Sequence, residues 1–354
     1  MKNKSTLLIK SRLYPYRVFF NQKIKKFKNN KSFFLVDKYI FKKYKLKKKL
    51  PKGKYLTIDS KEKNKSFENL DKIFNFLLSN NIDKKSIIIA IGGGILQDIS
   101  GFVSSTILRG VEWRFYPTTI LSQCDSCIGG KTSINFKGTK NKIGNFYPPK
   151  EIYIDMSFIK TLKEKELRSG IGEMAHYFFV KDQRAFNFFK ANYNKGIDKN
   201  LSTLKKLIYN SLLIKKNFIE KDEFDQGPRL ILNYGHSFGH AIEKITNYKL
   251  PHGIAVAHGM DIANFISWKK QFISHKTFNA LNDILRDIWK NYKIKSINLE
   301  NFLSAIKKDK KNINKKIRVI LTKGIGKMFI YQFKENKNLK LFLRQYCSHN
   351  NIKF

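Results

Sequence analysis

The sequence is poor in acid, arginine, cysteine and long apolar runs. Only 27 Asp and Glu stand against 70 Lys and Arg in 354 residues, a formal charge of +43. Cysteine occurs three times, at Cys124, Cys127 and Cys347. That is too few for a disulfide framework in a chain this long. No run approaches the roughly eighteen apolar residues of a membrane helix. The segment Met1 to Lys10 carries lysines but no apolar stretch of signal-peptide length. These absences predict a cytoplasmic protein with no membrane partner. Order is not lacking: 42% of the residues are hydrophobic and 14% aromatic, enough for real cores. The length suits two domains.

The charge invites a nucleic-acid reading, and the scarcity of arginine argues against it. The sequence holds 60 Lys and 10 Arg. Arg, with its planar fork, is the residue that reads guanine and phosphate bidentately. Lys, Asn, Ile, Phe and Tyr are abundant and share A/T-rich codons. The lysines are dispersed, apart from clusters at 42–49 and 307–316. The pattern predicts a compositional surface and no nucleic-acid partner, with attraction of small anions as a by-product.

Apolar patterning divides the chain. Phe33–Val36, Leu56–Asp59, Ser86–Ile91 and Arg114–Tyr116 read as strands. Helical periodicity over Phe67–Leu78 and Gln97–Leu108 alternates with them. That alternation predicts an α/β domain with a parallel sheet over 1–155. Beyond 155, segments 164–181, 183–192, 201–221, 229–247, 252–270 and 276–291 all read as helices. A strand signal remains at Ile317–Leu321. The second domain, 156–354, is expected to be helical.

Three constellations carry chemistry. A β-branched run ends at Ile91 and meets Gly92-Gly93-Gly94, then a helix bearing Asp98. Glycine suits any tight turn, but strand, glycine turn and helix in this order cradle a pyrophosphate on backbone N–H groups. Thr118-Thr119 ends the next strand. Further on, Arg229, Asn233, His236 and His240 recur at spacings of four, three and four, which would place them on one helical face. His252, after Pro251, and Glu173 can join them. Two imidazoles and a carboxylate make a three-ligand set for a zinc-type ion with an open position. His258 is an alternative ligand. The stretch Asp125 to Lys131 places glycines beside a lysine, but Asp125 occupies the position where a P-loop needs glycine. Cys124-x-x-Cys127 has redox spacing without a thioredoxin-like setting, and reads as packing.

Taken together, Gly92-Gly93-Gly94-Ile95-Leu96-Gln97-Asp98, Pro117-Thr118-Thr119, Asp125–Lys131, Lys140–Gly144, Glu173, Arg229–His240 and His252-Gly253 resemble the 3-dehydroquinate synthases and the wider sugar-phosphate cyclases, over about 55–330. The resemblance implies an N-terminal NAD-binding α/β domain, a helical metal-binding domain and a homodimer. It implies a divalent metal, zinc or cobalt, on Glu173, His236 and His252. It assigns Asp37, Glu62, Lys65, Gly93, Gly94, Asp98, Thr118 and Thr119 to NAD, with Lys131 and Lys140 beside them. It assigns Asp125, Lys131, Lys140, Asn141, Lys215, Arg229, Asn233, His240 and Lys310 to a small sugar-phosphate substrate. Arg109 is implied to reach the phosphate bound by the neighbouring subunit.

Two positions depart from the family pattern. His176 stands where Glu-x-x-Lys places a lysine, and Asp225 where glutamate is usual. His176 is expected to line the substrate pocket. The implied reaction is cyclisation of 3-deoxy-D-arabino-heptulosonate 7-phosphate to 3-dehydroquinate with loss of phosphate, NAD being regenerated each turnover. The rivals are a cyclase for another sugar phosphate such as sedoheptulose 7-phosphate, a metal-dependent polyol dehydrogenase, and a basic nucleic-acid-binding protein.

Overall fold

The computed structural model describes residues 6–27, 31–137, 139–307, 317–333 and 336–354. The chain forms two compact units. The first comprises residues 1–162 with 216–224, the second 163–215 with 225–354. A division at 155 does not foresee that 216–224 belongs to the first unit. Acidic side chains on that segment explain it. Glu220 accepts the Lys10 N–H at 2.7 Å, and Glu223 accepts the Arg12 N–H at 2.6 Å. Phe224 packs edge-on to Phe146 at 5.1 Å.

The first unit carries strands β1 (Thr6–Ile9), β2 (Tyr16–Phe20), β3 (Ser32–Asp37), β4 (Tyr55–Ile58), β5 (Ile87–Gly92), β6 (Glu112–Pro117), β7 (Lys131–Phe136), β8 (Thr139–Phe146) and β9 (Glu151–Ile154). Its helices are α1 (Lys38–Lys43), α2 (Asp71–Ser79) and α3 (Gly94–Thr106). The main sheet runs β1-β2-β9-β6-β5-β3-β4, parallel except for the β1–β2 pair. β3 and β5 are nearly continuous apolar runs, as strands covered on both faces must be. Phe34, Val36, Ile89 and Ile91 are all buried there. The chain leaves β3 to one side for β4 and returns to its other side for β5. That reversal is the switch point at which open α/β sheets bind ligands beyond the strands' carboxyl ends.

The second unit is built from α4 (Glu164–Lys181), α5 (Gln183–Ile197), α6 (Leu201–Ile219, whose last turn belongs to the first unit), α7 (His236–Ile245), α8 (His252–Lys269), α9 (His275–Trp289), α10 (Leu299–Lys307) and α11 (Asn336–His349). It also holds a hairpin of β10 (Ile317–Thr322) and β11 (Met328–Phe333). The helices α4 and α8 form its core: Leu167–Val180 and Gly253–Ser267 are buried without interruption. A helix buried on all sides is one enclosed by neighbours.

Glycines let these helices approach closely. A Cβ on Gly253 would lie 1.8 Å from the Ser169 carbonyl oxygen, and one on Gly172 would lie 2.3 Å from that of Gly253. The 229–247 segment is not one helix. Pro228–Asn233 is a 3-10 turn, Gly235 adopts a left-handed φ of 80°, and α7 starts at His236. Any Cβ on Gly235 would meet Met260 Cγ at 2.5 Å. The break is therefore set by the close passage of α8. Arg229 and Asn233 do not share a helical face with His236 and His240.

Candidate active site

At the switch point of the first unit, adjacent strand ends carry Asp37, Gly92-Gly93 and Pro117-Thr118. Val36 pairs with Ile91, and Gly92 with Pro117. The Thr118 N–H donates to the Gly92 carbonyl at 2.9 Å. Gly93 caps α3, so the uncapped N–H groups of that helix face outward from the glycine turn. A helix N-terminus of this kind is an anion site. A Cβ on Gly92 would strike Leu96 Cδ2 at 2.5 Å, and one on Gly93 would lie 3.2 Å from Thr119 Cγ2. Asp37 accepts the Ile40 N–H at 2.9 Å and so fixes the start of α1. The Thr119 and Ser122 hydroxyls share a 2.8 Å hydrogen bond.

The hairpin β7–β8 adds a polar cluster in the same unit. Lys65, 4% exposed, donates to a carboxylate oxygen of Asp98 and to Asn141 Oδ1 at 2.6 Å. Ser133 Oγ donates to the same Asn141 oxygen at 2.9 Å. Asn135 donates to Glu62 Oε1 at 2.8 Å, and Lys140 Nζ lies 3.9 Å from that oxygen. Five residues assigned from sequence thus meet here: Glu62, Lys65, Asp98, Lys140 and Asn141. Burial raises the Asp98 carboxyl above its ordinary value, partly offset by Lys65. Ser133 and Asn135 were not anticipated. Their signal lies in the alternating Thr132-Ser133-Ile134-Asn135, which reads as a half-polar strand.

In the second unit, Glu173 sits in the middle of α4 and is 2% exposed. His236 Nε2 lies 3.4 Å from its Oε1, and His252 Nε2 3.5 Å from its Oε2. His176 Nδ1 lies 3.7 Å from Oε1. These separations exceed a hydrogen bond of about 2.7–3.2 Å. A tetrahedral ion with bonds of about 2.1 Å holds its ligand atoms about 3.4 Å apart. Glu173 Oε2 is buried and has no hydrogen-bond partner among the described residues, a costly state that a bound cation relieves. Burial pushes the Glu173 carboxyl up, but His236, His252 and His176 outweigh it and hold it well below the carboxylate range.

Glycine explains why these side chains meet. The Gly172–Gly253 crossing of α4 and α8 sets Glu173 beside His252, the first residue of α8. Behind His252, Glu243 Oε2 lies 3.0 Å from Nδ1. A carboxylate there holds the proton on Nδ1 and leaves the Nε2 lone pair for an ion. Glu243 was missed in the sequence, although His236, His240 and Glu243 recur at helical spacings of four and three.

Comparison with known proteins matches the chain in two consecutive parts. The sequence model of the 3-dehydroquinate synthase N-terminal region matches residues 55–169, and that of the C-terminal region matches 170–312. The chain belongs to the 3-dehydroquinate synthase family. A 3-dehydroquinate synthase of Dictyoglomus thermophilum is 38% identical over 341 residues, 94% of this chain and 95% of the relative. The fold is shared with 2-epi-5-epi-valiolone synthase from Streptomyces hygroscopicus, solved with NAD+ and Zn2+ (TM-score 0.84, 20% identity, 94% of this chain and 97% of that one). It is equally shared with 2-deoxy-scyllo-inosose synthase complexed with carbaglucose-6-phosphate, NAD+ and Co2+ (TM-score 0.84, 20% identity, 96% and 99%).

The remaining positions expected of this 3-dehydroquinate synthase family member are distributed as follows. Asp125 lies half-buried in the π-helical turn Ser122–Ser126, and Lys131 is exposed at the start of β7. Arg109 is exposed in a strained turn, where Leu108, Arg109 and Gly110 have φ of 49°, 60° and 109°. Lys215 and Arg229 are buried at 6% and 5% exposure. Asn233 donates to the Leu230 carbonyl at 3.0 Å. His240 is exposed, its ring stacked 5.6 Å from that of His252. Lys310 lies outside the described residues. His258 stacks on Trp289 at 4.4 Å, with Nε2 3.0 Å from the Tyr292 carbonyl. Burial depresses it to about 4. Its surroundings are those of a packed neutral histidine, outside the Glu173 cluster. Cys124 and Cys127 are fully buried packing residues.

Proposed function

We propose that the chain converts 3-deoxy-D-arabino-heptulosonate 7-phosphate to 3-dehydroquinate and inorganic phosphate. The observation that supports this reading most is the buried Glu173 carboxylate facing His236 and His252 in a chain matched to 3-dehydroquinate synthase along both units. Glu173, His236 and His252 hold a divalent metal, zinc or cobalt. The Gly93–Gly94 turn, Asp37, Glu62, Lys65, Asp98, Thr118 and Thr119 hold NAD. When bound, these two groups supply reversible oxidation of a carbinol carbon and polarisation of its hydroxyl.

The chain's own residues select and orient the substrate. Lys131, Lys140 and Asn141 bind the phosphate that leaves, and Arg109 contributes to the neighbouring subunit of a homodimer. The buried Arg229 and Lys215 take the substrate carboxylate through charge-assisted bonds. Asp125, Asn233, His240 and Lys310 contact its hydroxyls. This cationic pair favours the heptulosonate over sedoheptulose 7-phosphate, which has no carboxylate. No helix among the described residues is long and apolar enough to cross a membrane, and the cytoplasm is the proposed location.

The test is phosphate release by purified protein with NAD, divalent metal and either sugar phosphate. Turnover of the heptulosonate without net NADH is expected. Equal or better turnover of sedoheptulose 7-phosphate would overturn the substrate assignment. NADH accumulating in proportion to product would indicate a dehydrogenase.

A further inference from the structure

We propose that His176 is a fourth protein ligand to the divalent metal, so that this chain holds its ion with one carboxylate and three imidazoles. The inference rests on the metal reading above and extends it.

His176 follows Glu173 by one helical turn on α4 and shares its face. The ring is 1% exposed and packs against Tyr177, centroids 3.9 Å apart. It stands at 89° to the His236 ring, centroids 5.0 Å apart. Ligand atoms from Glu173, His176 and His236 all fall within 4.8 Å of one another. The Nδ1 contact of 3.7 Å to Glu173 Oε1 is too long for a hydrogen bond and near the edge of a coordination tetrahedron. His236 and His252 approach the same carboxylate at 3.4 and 3.5 Å. His176 and His236 thus flank Oε1 at the spacing an ion imposes, with His252 on Oε2, where it also neighbours His240 and Glu243.

Chemistry separates this role from that of a lysine. An ammonium group has three donors and no lone pair, so it cannot ligate an ion. A neutral imidazole can, and it is the commonest metal-binding side chain. Replacing a lysine by a buried histidine at this point exchanges a substrate-facing cation for a donor aimed at the carboxylate. Four protein ligands leave the substrate to enter as a fifth, a coordination number zinc accepts. The expected gain is tighter retention of the ion.

The test uses the full chain loaded with zinc. Affinity is measured by chelator competition for the unmodified protein, His176→Ala, His176→Lys and His252→Ala. X-ray absorption on the zinc counts imidazoles. Thermal unfolding of the metal-free proteins checks that each variant folds. Both His176 variants should bind zinc at least tenfold more weakly. The unmodified protein should show three imidazoles and His176→Ala two. Two imidazoles in the unmodified protein, a count needing no variant, would overturn the proposal. So would unchanged affinity in both His176 variants while His252→Ala loses its zinc, and the three-ligand reading would then survive. Retention of zinc by His252→Ala as well would bring down the metal reading and this inference together.

Discussion

The two units make their binding groups by different means. In the first, the cradle is main chain: the ends of β3, β5 and β6 and the N-terminus of α3 offer N–H groups around Gly93. Its charged residues are paired, Lys65 with Asp98. In the second, the groups are side chains brought together by helices that cross at glycine, and Glu173 is a buried carboxylate that lacks a hydrogen bond at Oε2 among the described residues. The strand-end cradle tolerates change at Gly93, where a Cβ meets the end of the Thr119 side chain, though not at Gly92, where it would strike Leu96. A crossing built on glycine does not, because fold and site depend on the same contact.

The largest test of this contrast is Gly253→Ala. Its Cβ would lie 1.8 Å from the Ser169 carbonyl oxygen and 2.9 Å from the Glu173 amide nitrogen. Neither backbone atom can yield without moving a helix. We expect a loss of roughly 4 kcal/mol, or failure of the unit to fold. A thermal midpoint within a degree or two of the unmodified protein would show that the crossing is loose.

A second test uses the buried charge of the second unit. Asp261 is fully buried and receives hydrogen bonds from Asn282 and from Tyr346, the latter at 3.3 Å, with Arg286 4.0 Å away. Burial pushes its carboxyl up to about 7, against the pull of Arg286. The unfolded carboxyl titrates near 3.8. The folded state therefore holds the extra proton between those values. The stability it contributes is present below about 3.8 and lost as pH rises through about 7. The expected slope in that window is up to about 1.4 kcal/mol per pH unit. Asp261→Asn should flatten it. Parallel stability curves for the two proteins between about pH 5 and 7 would refute the assignment.

Gly93→Val addresses the first unit. Gly93 has φ of −87° and ψ of −170°, which any residue adopts, and its Cβ would meet only Thr119, at 3.2 Å. The fold should survive. The branched side chain fills the space a pyrophosphate needs, so NAD affinity should fall roughly a hundredfold, about 2.7 kcal/mol. Unfolding in place of lost binding would make the two units alike and remove the contrast.

The same difference governs what could be read from the sequence. β5 announced itself as an apolar run before Gly92-Gly93-Gly94 and β3 as one ending at Asp37, because buried parallel strands need little else, and β6 by the Pro-Thr-Thr that ends it. The β7–β8 hairpin did not, since Thr139–Phe146 is mostly polar and its partners are Lys65 and Glu62, far off in the chain. In the second unit, residue chemistry and the family resemblance both pick out Glu173, His236 and His252, while helical spacing misplaces Arg229 and Asn233. It joined Arg229 to His240 in one helix, because the break at Gly235 is imposed by α8 and not by local propensity. Glu243 shares the helical spacing of His236 and His240, but its function lies in touching the first residue of another helix, which spacing does not show.

Glu243 gives the smallest and sharpest test. On α7 its Oε2 lies 3.0 Å from His252 Nδ1, and its side chain is 14% exposed. No helix crossing depends on it, so Glu243→Gln should leave thermal stability within about 0.5 kcal/mol. Its effect on the site should be read at His252, the imidazole it faces. The carboxylate accepts the Nδ1 proton and raises the basicity of Nε2, while an amide accepts it more weakly and can present its NH2 to Nδ1 instead. Zinc affinity should drop about tenfold, or about 1.4 kcal/mol, and further in Glu243→Ala. A side chain that merely filled space would let glutamine, which has the same shape, bind zinc as tightly as glutamate. Loss of affinity in Glu243→Gln without loss of stability separates the two roles, and it would show that in this unit a residue can serve the site without also holding the fold.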